Sequence, residues 1–234
     1  MLSEFAMKNE AEVISRRYKT CLGAVVLLVA ACLILFTVFS TDRFGQSSAI
    51  LLVDRVSSVV SPLRPLSEFQ LVDSDERPFT ARNLVNHWTF IVFGFTSCPD
   101  VCPSTLAVLT EFRGALTREA AGAKDVNIIL VTVDPERDTP AILKQYVQHF
   151  DPHFIGLSGT DANIRNLAKQ LGASYEITNR DASAGYMVSH SASLYLIDPQ
   201  ARHYATYVAP LEAGSIAQRL RVFKQLYAQT KDGR

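Results

Sequence analysis

Short apolar runs alternate with helical patterns from about residue 66 to the C-terminus. Two of the runs, residues 88–95 (WTFIVFGF) and 126–133 (VNIILVTV), are almost continuously apolar, which is typical of strands buried on both faces of a sheet. Each is followed by a segment in which apolar residues recur at helical spacing. Because crossover helices on a partly parallel sheet bury such runs, the pattern predicts an α/β layer fold.

The C-terminal part of this pattern indicates the topology. Residues 193–197 (SLYLI) and 203–208 (HYATYV) flank a turn at 198–200, which predicts a hairpin, and a last helix follows. A βαβ unit followed by a ββα unit is the order of thioredoxin-like folds. We therefore expect residues 65–230 to form a thioredoxin-like domain with a central mixed sheet flanked by helices, and a weak strand pair within 68–80.

A different kind of segment lies near the N-terminus, where residues 21–39 form a run of 19 residues without a charge. At ~1.5 Å per residue this run can cross the ~30 Å apolar core of a bilayer. It has no polar face, so we expect a single transmembrane helix over residues 21–40 rather than a buried core helix. It is longer than the ~7–15 apolar residues of a signal peptide and has no A-x-A site, which favours an uncleaved anchor.

The flanking charges predict the orientation of this anchor. Four basic residues precede the run and two follow it within twenty residues, so the positive-inside rule places residues 1–20 in the cytoplasm and the rest of the chain outside. Acidic residues in the N-terminal segment argue against a mitochondrial transit peptide. We expect a bacterial inner-membrane protein that contacts the membrane through residues 21–40, with a Ser- and Pro-containing tether over 41–64 and a periplasmic domain.

Net charge excludes one class of partner. The chain has 23 basic and 23 acidic residues, so no bulk positive charge is available to bind nucleic acid.

Two of the four cysteines, Cys98 and Cys102, lie where the first buried strand ends and the first helix begins; the other two lie within residues 21–39. Pro103 predicts that this helix begins at residue 103, because a proline inside a helix removes a hydrogen bond. The positive end of the helix would then favour thiolates. A structural disulfide is disfavoured because it would close almost no loop. The spacing itself does not distinguish a redox-active dithiol from a metal site.

A histidine at a particular position favours the metal site. His190 directly precedes the strand at 193–197, which runs beside the dithiol loop in a thioredoxin-like sheet. Thioredoxin-like oxidoreductases have a cis-proline at this point, and this sequence has no proline there. A structural zinc site needs four ligands, whereas two thiolates and one imidazole form a soft, low-coordinate site that suits Cu(I), with Cu(II) as the alternative oxidation state.

These residues resemble the Sco/SenC family of copper-binding assembly factors for cytochrome c oxidase. The resemblance covers roughly residues 62–230 and is carried by four segments: 61–73 (SPLRPLSEFQLVD), 93–106 (FGFTSCPDVCPSTL), 131–140 (VTVDPERDTP) and 188–200 (VSHSASLYLIDPQ). It implies that Cys98, Cys102 and His190 bind one copper ion. Two positions depart from the common family pattern: Ser97 replaces a frequent histidine and Ser189 a frequent aspartate, which affects the expected affinity more than the assignment.

The resemblance also implies a role and a partner. The protein would deliver copper to the dinuclear copper site of an oxidase subunit, or first reduce the cysteines of that site. Other periplasmic copper chaperones or thiol reductants are further expected partners. On this interpretation the protein is a metallochaperone more than a turnover enzyme. The alternative is a periplasmic thiol–disulfide oxidoreductase that acts through Cys98 and Cys102, and a purely structural module is disfavoured.

A charged cluster follows the second buried strand. Asp134, Arg137 and Asp138 are expected to cap and salt-bridge the next helix. The alternative is that they form a loop beside the copper site that contacts the partner protein.

Overall fold

Within the residues that the structure describes, 57–118, 123–178 and 187–231, eight strands form one sheet. The structure is a computed structural model. The strands are β1 (Ser57–Val59), β2 (Leu71–Asp73), β3 (Pro78–Phe79), β4 (Trp88–Gly94), β5 (Val126–Thr132), β6 (Ile155–Ser158), β7 (Tyr175–Thr178), β8 (Met187–His190), β9 (Ser193–Ile197) and β10 (His203–Val208). The helices are α1 (Val101–Thr117), α2 (Pro140–Phe150), α3 (Asp161–Leu171) and α4 (Ala213–Lys231), with a short 3-10 helix at Ala81–Leu84.

The strand order identifies the topology. The sheet runs β1, β10, β9, β4, β5, β6, β2, β3. Strands β4, β5 and β6 are parallel, and β9 is antiparallel to β4. The predicted βαβ unit is β4–α1–β5, and the predicted ββα unit is β9–β10–α4. The expected thioredoxin-like α/β fold with a central mixed sheet is therefore confirmed.

Both faces of the central strand β4 are covered, which explains its almost continuous apolar sequence. Successive side chains of a strand point to opposite faces. Phe90 and Val92 pack in a cluster with apolar residues of α1, α2 and α4, whereas Ile91 and Phe93 pack in a second cluster with residues of α3. This packing holds the carboxyl end of β4, where the cysteines follow, between two apolar layers.

The helix ends follow local capping signals. The Thr139 side chain caps α2 and Pro140 is its first residue. Helix α3 ends at Gly172, which has the left-handed φ of 72° that favours glycine. The N-cap of α3 is Thr160, whose hydroxyl accepts the backbone N–H of Asn163. Asp161 is then the first helical residue.

Three features differ from the predicted order of elements. Strand β6 (Ile155–Ser158) lies between α2 and α3 and was not predicted. Its apolar run is short and is interrupted by Gly156. Strands β7 and β8 form a separate antiparallel ribbon. Part of the predicted tether, Ser57–Val59, pairs with β10 as an edge strand. An edge strand is held by backbone hydrogen bonds, so its sequence needs little apolar pattern.

The predicted membrane anchor, residues 21–40, and the preceding residues 1–20 lie outside the described residues. In the part of the chain that is described, no helix is both long and apolar enough to cross a membrane. All described residues belong to one compact unit.

Candidate metal centre

The dithiol lies at the carboxyl end of the central parallel strands. The chain leaves β4 at Gly94, forms a short loop that contains the half-buried Cys98, and enters α1 at Val101. Cys102 lies in the first turn of α1 and is only 2% exposed. The helix begins two residues before the predicted start at Pro103. Proline is accommodated there because N–H groups of the first turn have no partner within the helix.

His190 reaches the dithiol from the ribbon formed by β7 and β8. Its Nε2 atom lies 3.2 Å from Cys102 Sγ, although the two residues are 88 positions apart in the chain. The sulfur atoms of Cys98 and Cys102 and a ring nitrogen of His190 all lie within 4.8 Å of one another. The structure thus brings together the three residues that the sequence predicts to act as ligands.

The His190 ring is oriented by a backbone group. Its Nδ1 lies 3.2 Å from the Ser191 carbonyl oxygen, and since a carbonyl only accepts, Nδ1–H is the donor. In the neutral ring the Nε2 lone pair therefore faces the sulfur atoms. Burial lowers the pKa of His190, opposed in part by the hydrogen bond to Ser191, so the ring is neutral at pH 7. The Phe95 ring contacts it edge-on, with centroids 5.9 Å apart.

The Ser191 carbonyl clarifies the sequence departure at Ser189. Metal-bound histidines are commonly oriented by a carboxylate or a backbone carbonyl on the second ring nitrogen. Ser189 is exposed on β8, and the Ser191 carbonyl orients the His190 ring. Ser97, the other departure, is also exposed.

The two thiols differ in environment, and both are free thiols rather than a disulfide. The backbone N–H of Cys102 donates to Cys98 Sγ at 3.5 Å. Burial raises the pKa of Cys102 to about 12, and the neighbouring Cys98 and Asp138 add to this shift. The expectation of a thiolate at the helix terminus is therefore wrong for Cys102, because the loss of hydration outweighs the helix dipole.

Gly94 provides the space that the Cys102 sulfur occupies. A Cβ at this position would lie 2.6 Å from Cys102 Sγ and 3.0 Å from Leu130 Cδ1. Both distances are shorter than ordinary van der Waals contacts of ~3.5–4.0 Å. The absence of a side chain at Gly94 thus allows the thiol to sit directly against the end of β4.

A buried carboxylate holds the loop that carries Cys98. Asp138 has no exposed surface. Its Oδ2 accepts the Thr96 backbone N–H at 3.0 Å and the Thr132 hydroxyl at 2.6 Å, and its Oδ1 accepts the Thr96 hydroxyl at 2.5 Å. These bonds tie the residue two positions before Cys98 to the end of β5. This role was missed by sequence reasoning, because the contact joins residues 42 positions apart.

The other members of that charged cluster follow the expected pattern in part. The Arg137 guanidinium pairs with the buried Asp134 carboxylate, as the salt-bridging interpretation predicts. Neither aspartate caps the following helix, which is capped by Thr139. Arg137 also lies over the Phe95 ring, with Cζ 5.9 Å from the ring centroid. The charged cluster therefore contacts the dithiol loop through Arg137 and Phe95.

The remaining histidines lie away from the dithiol. His203 Nε2 contacts the Thr206 hydroxyl at 2.9 Å, and His153 Nδ1 contacts Asp151 at 2.9 Å. Across residues 57–118, 123–178 and 187–231, one group of three or more His, Cys, Asp or Glu side chains is close enough to hold a metal ion. This group is Cys98, Cys102 and His190.

The donor set fits a soft metal ion. Two atoms bound to the same ion lie at most about 4.6 Å apart, twice a thiolate bond length of about 2.3 Å. The donors, within 4.8 Å of one another, need only a small side-chain adjustment to meet this limit. Two sulfur donors and one imidazole suit Cu(I) and do not suit hard cations such as Mg²⁺ or Ca²⁺.

Comparisons with known proteins identify the family. The SCO1/SenC family model matches residues 61–225. The SCO2-like protein of Rickettsia felis is 36% identical over 137 residues, which cover 58% of this chain and 65% of that protein. Arabidopsis thaliana ScoI, solved with copper bound, superposes with a TM-score of 0.63 at 31% identity, covering 69% of this chain and 99% of that one. Bradyrhizobium japonicum ScoI, also with copper bound, gives a TM-score of 0.60 at 34% identity, covering 68% and 98%. The resemblance inferred from the sequence is thus confirmed: the chain belongs to the SCO1/SenC family.

Proposed function

We propose that this protein binds one copper ion through Cys98, Cys102 and His190, and that it serves the dinuclear copper site of a cytochrome c oxidase subunit. The observation that carries the proposal is the convergence of these three donors within 4.8 Å at the end of β4. Membership of the SCO1/SenC family and the copper bound to two solved relatives support the choice of metal. Copper is the cargo of this function rather than a resident cofactor.

The chemistry of the site favours delivery of Cu(I). The ligands are soft, and the neutral His190 ring presents a lone pair from Nε2. Cys98 is half-buried whereas Cys102 is buried, so a partner thiol reaches the copper from the Cys98 side. A ligand exchange that begins at Cys98 would pass the ion to the partner without releasing it into water.

A second role, the reduction of the partner's cysteines, is favoured by the same difference in exposure. Cys98 would attack one sulfur of the partner's disulfide and release the other as a thiolate. Cys102, after its proton leaves to water, would attack Cys98, release the second partner thiol and leave a Cys98–Cys102 disulfide. The two electrons come from this chain, so a periplasmic thiol reductant must restore the dithiol. The high pKa of Cys102 disfavours rapid exchange, which makes copper delivery the first candidate.

The proposed location follows from the N-terminal sequence. We place residues 21–40 across a bacterial inner membrane, residues 1–20 in the cytoplasm and the copper-binding domain in the periplasm. The uncharged run and the excess of basic residues before it support this topology. Since Ser57–Val59 belongs to the sheet, the proposed connection between the membrane and the domain shortens to residues 41–56.

The decisive experiment separates the two roles. The reduced full-length chain, carrying one equivalent of Cu(I), is mixed with the apo copper domain of an oxidase subunit whose cysteines are either reduced or oxidised. Movement of copper to the reduced domain supports delivery, and formation of a Cys98–Cys102 disulfide with the oxidised domain supports reduction. If neither occurs, the proposed function is wrong. A His190→Ala variant should bind Cu(I) more weakly, through the two remaining cysteines, whereas a His153→Ala variant serves as the matched control.

A further inference from the structure

The residue opposite the histidine ligand is Tyr175. It pairs with His190 across the ribbon of β7 and β8. Directly opposed residues of an antiparallel pair project to the same face, with Cβ atoms about 4.5–5.5 Å apart. Tyr175 is 8% exposed and packs in the apolar cluster on the α3 side of the sheet. Its ring therefore lies on the same side of the ribbon as the His190 ring.

The Tyr175 hydroxyl is anchored to the first turn of α3. It donates to Asp161 Oδ1 at 2.8 Å. The other carboxylate oxygen of Asp161 accepts the Arg165 Nε–H at 2.7 Å, and the Arg165 guanidinium lies 4.5 Å above the Tyr175 ring. These three side chains, the Tyr175–Asp161–Arg165 cluster, contact one another in a closed ring.

The cluster matters because the ribbon is separate from the main sheet. Within the described strands, β7 and β8 pair with each other and not with the eight-stranded sheet. At the base of the ribbon, Ser191 N–H donates to the Ser174 carbonyl at 2.9 Å. The ribbon is joined to β9 of the sheet through residues 191–192. Side-chain contacts with α3 add to this connection in setting how close the ribbon lies to α1, and hence the distance between His190 Nε2 and Cys102 Sγ.

We infer that Tyr175, held by Asp161 and Arg165, is a positioning residue that directs the His190 imidazole toward the two cysteines. This inference rests on the proposed copper function and extends it to a part of α3 that none of the three ligands occupies. Tyr175 acts by fixing the distance between the ribbon and the dithiol, and it does not itself contact the metal.

The test uses a substitution that removes one hydroxyl. Tyr175→Phe keeps the buried ring and removes the bond to Asp161. Loss of an outer partner of a metal ligand typically costs 10–100-fold in affinity, and for this less direct partner we expect a loss of about 3- to 30-fold in Cu(I) affinity. Affinity is measured on the reduced full-length chain by competition with a chromophoric Cu(I) chelator. Tyr227→Phe is the matched control, since Tyr227 packs on Trp88 at the opposite end of β4.

A second background distinguishes positioning from general stability. In a His190→Ala chain, Tyr175→Phe should cause no further loss of copper affinity, because the ligand that it positions is gone. Urea unfolding of the wild type, Tyr175→Phe, His190→Ala and the double variant shows whether Tyr175→Phe changes the free energy of unfolding with and without His190. Asp161→Ala provides a second variant. Combined with Tyr175→Phe, it should cause no further loss of Cu(I) affinity beyond that of Tyr175→Phe alone.

The outcomes separate this inference from the proposed function. Equal copper affinity for Tyr175→Phe and the wild type overturns the inference alone, as does an equal loss with and without His190. A wild-type chain that binds no Cu(I) overturns both.

Discussion

The clearest prediction of this site concerns Gly94, which has no ligand atom of its own. In Gly94→Ala the new Cβ would lie 2.6 Å from Cys102 Sγ. Since ordinary contacts begin near ~3.5 Å, the sulfur must move by about 1 Å. Ligand distances in a well-formed metal site lie within about 0.2 Å of their usual values, so a sulfur displaced this far should bind copper more weakly. We expect a loss of at least about tenfold in Cu(I) affinity and of about 1–3 kcal/mol in the free energy of unfolding from overpacking.

Two other glycines provide matched controls for this substitution. A Cβ at Gly156 in β6 would lie 2.5 Å from Leu143 Cγ, so Gly156→Ala should destabilise the fold similarly while leaving copper affinity unchanged. A Cβ at Gly114 in α1 has its nearest neighbour 3.9 Å away. Gly114→Ala should therefore stabilise the fold by about 0.5–1 kcal/mol, because alanine is the better helix former.

The assays are a chelator competition for Cu(I) and urea unfolding of the metal-free chain, performed on all three variants. If Gly94→Ala binds Cu(I) as tightly as the wild type, the sulfur of Cys102 is not held where the structure places it. Equal losses of copper affinity in Gly94→Ala and Gly156→Ala would show that the effect is general overpacking. Either result would refute the proposed geometry.

Two further predictions address the support and the protonation of the site. Asp138→Ala removes three hydrogen bonds to Thr96 and Thr132 and should lower the free energy of unfolding by about 3–4.5 kcal/mol, at about 1–1.5 kcal/mol for each bond. Asp138→Asn can accept two of these bonds and donate to the Thr96 hydroxyl, so urea unfolding should show less than half of that loss, and equal losses would contradict the assigned contacts. Copper must displace the Cys102 proton, whose pKa is raised to about 12. The apparent Cu(I) affinity should therefore rise at least about tenfold per pH unit between pH 7 and 9, and affinity that is independent of pH would contradict this.

The closeness of the three proposed ligands could be predicted from sequence, because each stands at the end of a recognisable element. Cys98 and Cys102 follow a buried strand, and His190 precedes the apolar run at 193–197. The thioredoxin-like order places that run, β9, next to β4, as the structure has it. Topology therefore brings these three positions together, whereas their assignment as copper ligands comes from the family resemblance.

The residues that support the ligands could not be predicted in the same way. Asp138 has the sequence context of a helix cap, and its contact with Thr96 depends on how the ends of β4 and β5 meet. Tyr175 faces His190 through a register that joins residues on either side of 179–186, and the short alternation of β7 (YEIT) does not show which residue of β8 lies opposite Tyr175. Such contacts depend on three-dimensional register, which local patterns do not encode.

The protonation of the dithiol shows a further limit of local reasoning. The position of Cys102 in the first turn of α1 suggests a thiolate, since helix termini stabilise negative charge. The sequence does not show that Cys102 is almost completely buried, against Gly94 and beneath the loop. Burial raises the pKa of this thiol, so the proton leaves when the metal binds.

The most direct test of the central claim is X-ray absorption spectroscopy of the reduced full-length chain carrying one equivalent of Cu(I). Coordination by two sulfur atoms and one nitrogen atom is the predicted result, with loss of the nitrogen in His190→Ala and of one sulfur in Cys98→Ser. A His190→Ala chain that keeps the nitrogen ligand and full copper affinity would contradict the assignment of the site.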